Sequence, residues 1–550
     1  MDQPRKQTRN RLVALAFASV LLLVIYGPLA HLFTGIDRFI YDQFADRWVI
    51  SQVCSAHPPF RQMIAVSVSG DPTGRYYTYE FVMPNVKVND FPKIGRWGSV
   101  YTMTTDEFLG ADFAGSGLFA FDRDRLLAGD ADAGYIYFAL GTDSPNRRRG
   151  ALPADVDGLI APTPGTPALF ATYTADEYGD AADALRLWEL TPDFDHPENS
   201  TLIEAAGSPI AVEPFDPTSP FGRADIAQPP PGEFLDSQSD RIAHRLAYRN
   251  FGTHESLVVN QTVRSSQPGA TYRAGLRLYE LRRVPGGIFS AVSQAEIGDD
   301  TSSRWIGSAA QDHQGNTALQ YNFVSDEKQV SINLTGRSAA APPNPLLPEQ
   351  TIVEGTGVQR AFGWRWGEYS GISVDPFEGC TFWLTNGYYT LASQQFSELG
   401  WLTRIAAFKF DSCSPLKPAS VSGTVTDAAS GEPIENARVQ LGEFSRRTDA
   451  AGEYGPMVVR SGNALIGASA PGYRTSTLPI VLGPGTQTAS FTLQPIPVIV
   501  AASTSVAAES CKLDRSADPG ETVSLSELIE DGGIDRISAF LALLFLEARH

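Results

Sequence analysis

The stretch that decides the fold is residues 364–413, WRWGEYSGISVDPFEGCTFWLTNGYYTLASQQFSELGWLTRIAAFKFDSC. An aromatic strand pattern lies on either side of the turn at residues 375–379, Asp-Pro-Phe-Glu-Gly. Short runs of bulky residues bounded by Asp and Gly are typical of antiparallel hairpins. Cys380 and Cys413 bracket the last pair of strands, and the composition changes after Cys413. The stretch therefore predicts the last sheet of an all-β domain, followed by a second domain.

Length and composition place this stretch in a larger protein of at least two domains. A chain of 550 residues exceeds what a single hydrophobic core usually serves. The 43 Lys and Arg against 62 Asp and Glu give a formal net charge of -19, which disfavours nucleic acid as a partner. Aromatic residues at 10%, with 49 Gly and 38 Pro, favour many short strands joined by tight turns.

The N-terminus predicts contact with a membrane. Four basic residues within the first eleven precede an apolar run at residues 12–26. This is the order of a signal peptide, and a spanning helix needs only about 20 residues. A cleaved signal peptide and an uncleaved hydrophobic anchor helix both remain open for residues 1–30. In either case we expect the rest of the chain to be secreted or held outside the cytoplasm.

The four cysteines are Cys54, Cys380, Cys413 and Cys511. They form neither a CxxC motif nor a cluster with histidine, so no metal or cofactor site is predicted from them. A hairpin would place Cys380 beside Cys413, and export permits oxidation. The sequence therefore predicts a disulfide between them, with two buried thiols as the alternative. Calcium is a weaker alternative at residues 130–132 and 155–158, where solvated turns are favoured over a calcium loop.

Strand patterns of four to seven residues recur between residues 60 and 413. Three of the connecting turns share an Asp followed by a Gly, at residues 71–74, 312–315 and 375–379. Asp bonds to the backbone that follows it and Gly adopts positive φ, so the combination favours a hairpin. Because helical periodicity is nearly absent, the repetition predicts a β-propeller-like domain over residues 31–413.

Four motifs in this region resemble a family of exported bacterial proteins with a propeller-like domain of unassigned chemistry. They are DPTGRYY from Asp71, LDSQSDRIAHRLAYRNFGTHESLVVNQTV from Leu235, RWIGSAAQDHQGNTAL from Arg304 and RWGEYSGISVDPFEGCTFWLTN from Arg365. Members of that family carry further sequence where the hydrophobic segment stands here, so the resemblance implies an incomplete first blade. They tend to have Asp at position 368 and Glu at position 387. Glu368 and Gly387 stand there in this chain, so a carboxylate pair at those two positions is not expected.

A second module follows a linker at residues 414–418. The runs VSGTVTD from Val421 and TDAAGEY from Thr448 resemble the carboxypeptidase regulatory-like domain. The resemblance implies a seven-stranded β-sandwich over residues 419–495, similar to transthyretin and to carbohydrate-binding-like folds, with an accessory role. Residues 496–550 are expected to form a tail. It begins like a further β module and ends in a short apolar helix. The break in pattern is expected to reflect truncation of the module, and the alternative is that the helix docks on the protein.

The motifs that would indicate catalysis are incomplete. His254 and Glu255 begin a zinc-protease pattern, but Val258 stands where the second histidine is needed. The sequence therefore favours an exported binding or scaffold protein whose ligand is a glycan or a protein. A sialidase-like, glycan-processing enzyme and a structural envelope component are the alternatives. Aromatic side chains in loops at one end of the propeller are the candidate contacts, with packing between blades as their alternative role. They are Trp364, Trp366, Tyr369, Tyr388 and Tyr389.

Overall fold

The structure, a computed structural model, describes residues 38–54, 58–142, 150–220, 222–342, 346–360, 365–396, 400–496 and 522–524. The hydrophobic segment at residues 1–30, Cys511 and the apolar pattern near the C-terminus lie outside these ranges. None of the described helices is long and apolar enough to cross a membrane.

The described chain is almost entirely β-strand, as predicted, and six antiparallel sheets follow one another along residues 38–408. We number these sheets as blades 1 to 6. Blades 1 and 2 have four strands each in chain order: β1 (Arg38–Asp42), β2 (Arg47–Cys54), β3 (Arg61–Ser67) and β4 (Arg75–Val82), then β5 (Val88–Trp97), β6 (Val100–Leu109), β7 (Asp112–Asp122) and β8 (Tyr135–Leu140).

Blades 3 and 4 are joined because their first strands pair in parallel. Their strands are β9 (Leu152–Asp157), β10 (Ala168–Thr174), β11 (Ala184–Thr191) and β12 (Thr201–Glu204), with the short β13 (Ile210–Ala211) beside β11, then β14 (Ile242–Asn250), β15 (Glu255–Arg264), β16 (Ala274–Arg283) and β17 (Ser290–Ile297).

Blade 5 has four strands, and blade 6 has three among the described residues. Their strands are β18 (Ser302–Gln311), β19 (Thr317–Ser325), β20 (Ser331–Arg337) and β21 (Gln350–Val353), then β22 (Gly371–Val374), β23 (Phe382–Tyr388) and β24 (Leu402–Phe408). Two short helices, α1 (Arg123–Ala128) and α2 (Leu391–Phe396), interrupt the strands. Blade 1 is thus a complete four-stranded sheet, and the blade with fewer strands is the last one.

The first strand of each blade lies innermost, around a central channel. One channel cavity is lined from β1, β5, β9, β14 and β22, and a second one includes Ile306 of β18. We call the end of the channel where these six strands begin the upper end, and the opposite end the lower end. Strands such as β15 and β18 are buried along nearly their whole length, because neighbouring blades cover both faces of each sheet.

The three Asp–Gly turns connect strands as predicted. The Asp312 carboxylate accepts hydrogen bonds from the backbone N–H groups of Gln314 and Asn316, both at 2.9 Å, between β18 and β19. Gly315 adopts a φ of 90° in that turn, and Gly379 adopts 73° in the turn between β22 and β23. A residue with a β-carbon is strained at these angles, which explains why glycine ends these two turns.

The second module is a β-sandwich of two sheets. One sheet contains β25 (Ala419–Asp427), β28 (Glu453–Val459), β31 (Gly485–Thr488) and β32 (Phe491–Leu493), and the other contains β26 (Arg438–Leu441), β27 (Phe444–Arg447), β29 (Gly462–Ser469) and β30 (Ser476–Leu482). β31 and β32 run one after the other along β25 in the same direction. Counted as one interrupted strand, they make the seven strands that were expected.

The sandwich packs against the lower end of blades 1 and 2. The rings of Phe44 and Phe444 have centroids 4.7 Å apart. The backbone carbonyl of Phe44 accepts hydrogen bonds from Ser445 N and from Arg446 Nη1, both at 3.0 Å. Arg96 at the end of β5 pairs with Glu443 at 3.2 Å. The propeller and the sandwich therefore share one continuous hydrophobic core.

The predicted disulfide is present. Cys380 and Cys413 are bonded, with their Cα atoms 5.7 Å apart, and β23 pairs antiparallel with β24 between them. His313 Nε2 lies 2.8 Å from the carbonyl oxygen of Ser414, so the start of the linker is held against the turn of blade 5. Cys54 forms no disulfide with any described residue.

One part of the tail belongs to the propeller. The short strand β33 (Thr522–Ser524) pairs antiparallel with β4 and becomes the fifth, outermost strand of blade 1. The rest of the predicted tail beyond Ile496 lies outside the described residues.

Candidate functional site

The structure describes four of the five aromatic residues that the sequence singled out, and they differ in burial. Trp366 and Tyr389 are buried in the upper part of blade 6, where their ring centroids lie 5.5 Å apart. Trp366 Nε1 donates a hydrogen bond to Asn322 Oδ1 at 3.0 Å, and Trp401 packs edge-on against the same ring. Neither Trp366 nor Tyr389 presents a ring face to a ligand in this structure, because both fill the space beside neighbouring strands.

Tyr369 and Tyr388 are half-buried. Tyr369 lies at the upper mouth of the channel, with its ring centroid 6.1 Å from that of Phe91. Lys93 Nζ lies 4.8 Å from the Tyr369 centroid and 3.2 Å from the Phe91 centroid, which is the range of a cation–π contact. Tyr388 packs against the core of blade 6. Trp364 lies outside the described residues.

The upper mouth of the channel is closed by ion pairs. Glu368 accepts a hydrogen bond from Arg365 Nη1 at 2.5 Å, and Asp236 lies 3.7 Å from Arg223 Nε. Burial raises the pKa of Asp236 to about 7. Burial alone would also raise the pKa of Glu368, but the charge of Arg365 lowers it. A cavity beside Glu368, lined also by Phe91 and Arg241, has a volume of about 10 Å³, room for about one water molecule.

The lower part of the channel holds a buried ion triad. Arg245 donates to the carboxylate of Asp155 at 2.8 and 3.0 Å and to that of Asp157 at 2.9 and 3.0 Å. These two aspartates lie on the innermost strand β9, so the solvated turn favoured for residues 155–158 is corrected to a buried strand. Alternation of Asp155 and Asp157 brings both carboxylates to one face of the strand, toward Arg245. The cavity here is about 70 Å³.

A cavity of about 230 Å³ opens at the upper end of blade 5. Its wall is one face of the sheet, because Arg304 pairs with Phe323 across strands, and Phe323 in turn pairs with Ser331. Asn333 lies two residues beyond Ser331 on the same face, and Glu349 follows from the segment directly before β21. We call this cavity the blade 5 pocket.

An ion cluster forms one side of the blade 5 pocket. The Glu349 carboxylate accepts from Arg304 Nη2 at 2.7 Å and Nε at 3.0 Å, and from the Tyr321 hydroxyl at 2.7 Å. Arg304 Nη1 donates to Asp299 at 3.0 Å. Burial alone would raise the pKa of Glu349, but its hydrogen bonds with Arg304 and Tyr321 lower it. Glu349 is therefore ionised, and its paired geometry with Arg304 holds both side chains in place.

The remaining groups of the blade 5 pocket are arranged for contact with a ligand. The Phe323 ring is half-buried, with the Arg304 guanidinium carbon 5.1 Å from its centroid. Asn333 is 5% exposed, and its Oδ1 has no hydrogen-bond partner among the described residues. Lys328 and Glu354 form an exposed pair at the rim, 3.9 Å apart. An aromatic ring beside an unsatisfied acceptor can hold a molecule with an apolar face and hydroxyl groups.

Sequence reasoning missed the blade 5 pocket. Its residues come from the four strands of blade 5 and from the segments that flank them, and the paired Arg304 and Glu349 are 45 positions apart. One signal could have indicated the pocket: polar or charged residues stand in consecutive strand patterns, at positions that pair across the strands. Recognising it requires the strand register, which hydrophobic alternation alone does not supply.

Comparison with known proteins identifies the second module. Residues 420–494 match the sequence model of the carboxypeptidase regulatory-like domain, which confirms the resemblance stated above. A search of curated protein sequences finds no match to the chain.

The whole chain was also compared with solved structures. A protein of unknown function from Dyadobacter fermentans is 11% identical, with a TM-score of 0.29 over 72% of this chain and 94% of that one. An α-L-arabinofuranosidase from Fusarium graminearum is 10% identical, with a TM-score of 0.32 over 69% and 99%. An endo-arabinase from Bacteroides thetaiotaomicron is 10% identical, with a TM-score of 0.27 over 57% and 96%. At these values the similarities assign no activity to this chain, and the family match covers the sandwich alone.

Proposed function

We propose that this protein is an extracytoplasmic carbohydrate-binding protein that holds its ligand at the upper end of the propeller without cleaving it. The observation that carries the proposal is the blade 5 pocket, where the Phe323 ring stands beside the unsatisfied Asn333 Oδ1 and the Glu349 carboxylate. Aromatic rings stack on the C–H faces of sugars at a small entropic cost, and a few fixed polar groups then orient the hydroxyls.

The placement of the sandwich is consistent with this proposal. It packs at the lower end of blades 1 and 2, so it leaves the upper end of blade 5 open. The accessory module therefore lies at the end opposite the proposed ligand site. In this proposal the segment at residues 1–30 provides export or anchoring.

A glycan-processing enzyme is the second candidate. It is favoured by Asp236 and Glu368, whose pKa values are shifted in opposite directions, as is usual for an acid and base pair. A glycosidase of the two-carboxylate type also needs space between its carboxylates for the substrate. The cavity beside Glu368 holds about one water, so the side chains that line it would have to move before a sugar entered.

The proposal is tested by screening the full chain against immobilised glycans and measuring the affinity for each hit by titration calorimetry. We expect Phe323→Ala to weaken binding by about tenfold or more, because an aromatic contact is lost at the centre of the site. Phe113→Ala is the matched control, since Phe113 is also a half-buried strand phenylalanine at the upper end, but on blade 2.

Two results would count against the proposal. Absence of binding to any glycan would rule out the carbohydrate-binding function. Equal affinities for Phe323→Ala and the unaltered chain would rule out the blade 5 pocket as the binding site. Hydrolysis of a bound glycan would favour the second candidate. In that case Glu368→Gln should abolish turnover while Phe323→Ala leaves it measurable.

A further inference from the structure

The size of the blade 5 pocket limits its ligand. Its volume of about 230 Å³ lies below the range of about 300–1,000 Å³ that is usual for drug-sized ligands. The pocket opens to solvent at its rim, where Lys328 and Glu354 are each more than half exposed. A single ring can therefore be enclosed, and the rest of a longer chain can continue past the rim.

Each of the three nitrogens of the Arg304 guanidinium group already donates to an acceptor of the protein. Its Nε and Nη2 donate to Glu349, and its Nη1 donates to Asp299 and to Ser302 Oγ at 2.8 Å. A free arginine fork is the usual partner of a ligand carboxylate. Here the carboxylates of Glu349 and Asp299 already accept hydrogen bonds from the guanidinium group.

The charges around the blade 5 pocket also disfavour an anion. Two cations, Arg304 and Lys328, stand with three carboxylates, Asp299, Glu349 and Glu354. Hydrogen bonds from backbone and hydroxyl groups and the charge of Arg304 hold the pKa of Asp299 below its usual range, although burial alone would raise it. The cluster therefore keeps a net negative charge at neutral pH, and like charges at a binding site select against an anionic ligand.

One acceptor in the blade 5 pocket needs a donor from a ligand. Asn333 is 5% exposed, and its Oδ1 has no hydrogen-bond partner in the part of the chain that the structure describes. A buried acceptor without a donor costs about 1–3 kcal/mol. Because Oδ1 is itself buried, the Asn333 side chain has to turn toward the pocket, and a ligand hydroxyl group then supplies that donor while the ring that carries it lies against Phe323.

Resting on the proposed function, we infer that the blade 5 pocket selects one uncharged sugar ring of a glycan, and that it excludes sugars carrying a carboxylate. The ring stacks on Phe323, and one of its hydroxyl groups donates a hydrogen bond to Asn333 Oδ1. Arg304 and Glu349 lie beside the ring and remain paired with each other.

The test uses the full chain and three probes: a neutral hexose oligosaccharide series, a uronic acid oligosaccharide series and a sialylated oligosaccharide. We expect binding to members of the neutral series only. Binding should change less than about twofold between low and high salt, because an uncharged ligand has no charge for salt to screen. Asn333→Ala should weaken neutral binding by about tenfold, and Phe113→Ala should not change it.

Glu349→Gln frees Arg304 from its carboxylate partner. We expect this variant to acquire measurable affinity for the uronic acid series, with a strong salt dependence, and to lose affinity for the neutral series. Binding of uronic or sialylated probes by the unaltered chain, lost in Phe323→Ala, would overturn this inference and leave the proposed function intact. Absence of binding to all three series would overturn the proposed function as well. If Glu349→Gln does not fold, the salt dependence of binding by the unaltered chain still tests the inference. A strong salt dependence would contradict an uncharged ligand.

Discussion

At the residue scale, buried ion pairs hold charged side chains in the interior of the propeller. Asp42 has no exposed surface and receives hydrogen bonds from Arg123 Nε at 2.6 Å and from the Tyr101 hydroxyl at 2.9 Å. Burial alone would raise the pKa of Asp42, but the charges of Arg123 and Arg96 hold it well below its usual range. Buried ion pairs of this kind are costly to break, because each partner left alone is an uncompensated charge.

Asp236 differs from Asp42, because burial raises its pKa by more than the charge of Arg223, 3.7 Å away, lowers it. Its pKa of about 7 in the folded protein lies above the value of about 3.9 in an unfolded chain. The folded state therefore binds the proton more tightly, and the free energy of unfolding falls as the pH rises from about 4 to about 7.

We expect Asp236→Asn to remove this part of the pH dependence and to raise the free energy of unfolding at pH 8 by about 2 kcal/mol. The asparagine oxygen can still accept the 2.9 Å hydrogen bond from Gln238 N. Urea titrations of both proteins at several pH values measure the difference. Asp112→Asn, at an exposed position, is the control. Parallel pH profiles for Asp236→Asn and the unaltered chain would contradict the prediction.

At the element scale, blade 6 differs from the other blades. Its three described strands end at β24, and the residues that follow are fastened to the turn before β23 by the disulfide. Leu416 N donates to the carbonyl of Glu378 at 2.7 Å, which adds a second attachment at the same turn. The start of the linker is thus held by a covalent bond and by backbone hydrogen bonds.

We expect Cys413→Ser to lower the free energy of unfolding by about 3 kcal/mol, because the bond closes a loop with a sequence separation of 33. Thermal melts of the unaltered chain with and without reductant should show the same decrease. Cys54→Ser serves as the control, since Cys54 is half-buried and forms no disulfide with the described chain. A melt of the unaltered chain that is insensitive to reductant would show that the bond does not stabilise the fold.

At the scale of the whole molecule, the propeller and the sandwich behave as one folded body. The contact of Phe444 with Phe44 joins their cores, and Arg446 donates from a buried position into the β1–β2 turn. Because the two modules share a core, we expect them to unfold together.

We expect Phe444→Ala to destabilise the chain by about 3 kcal/mol and to split one thermal transition into two, because the buried ring packs on Phe44 of the other module. Calorimetry of the full chain measures both effects. Leu465→Ala is the control, at a sandwich position that is 60% exposed. A single transition with an unchanged midpoint in Phe444→Ala would mean that the modules are joined by other contacts.

The sequence by itself determined the all-β class, the propeller-like repetition, the sandwich and the disulfide. The sandwich was recognised by its resemblance to the carboxypeptidase regulatory-like domain, and the other three depend on local chemistry: alternating apolar residues, Asp–Gly turns and a hairpin that brings Cys380 beside Cys413. Such signals extend over a few residues, so they can be recognised along the chain. The number of blades was not accessible in this way, because irregular insertions hide the repeat.

Only the tertiary structure decided which side chains are available to a ligand. Trp366 and Tyr389 are buried by neighbouring strands, whereas Phe323 borders a cavity with Arg304, Asn333 and Glu349. All of these residues occur in similar strand patterns, so composition does not distinguish them. The physical reason is that exposure and pairing depend on strand register and on how blades stack, and these bring together residues that are far apart in the chain.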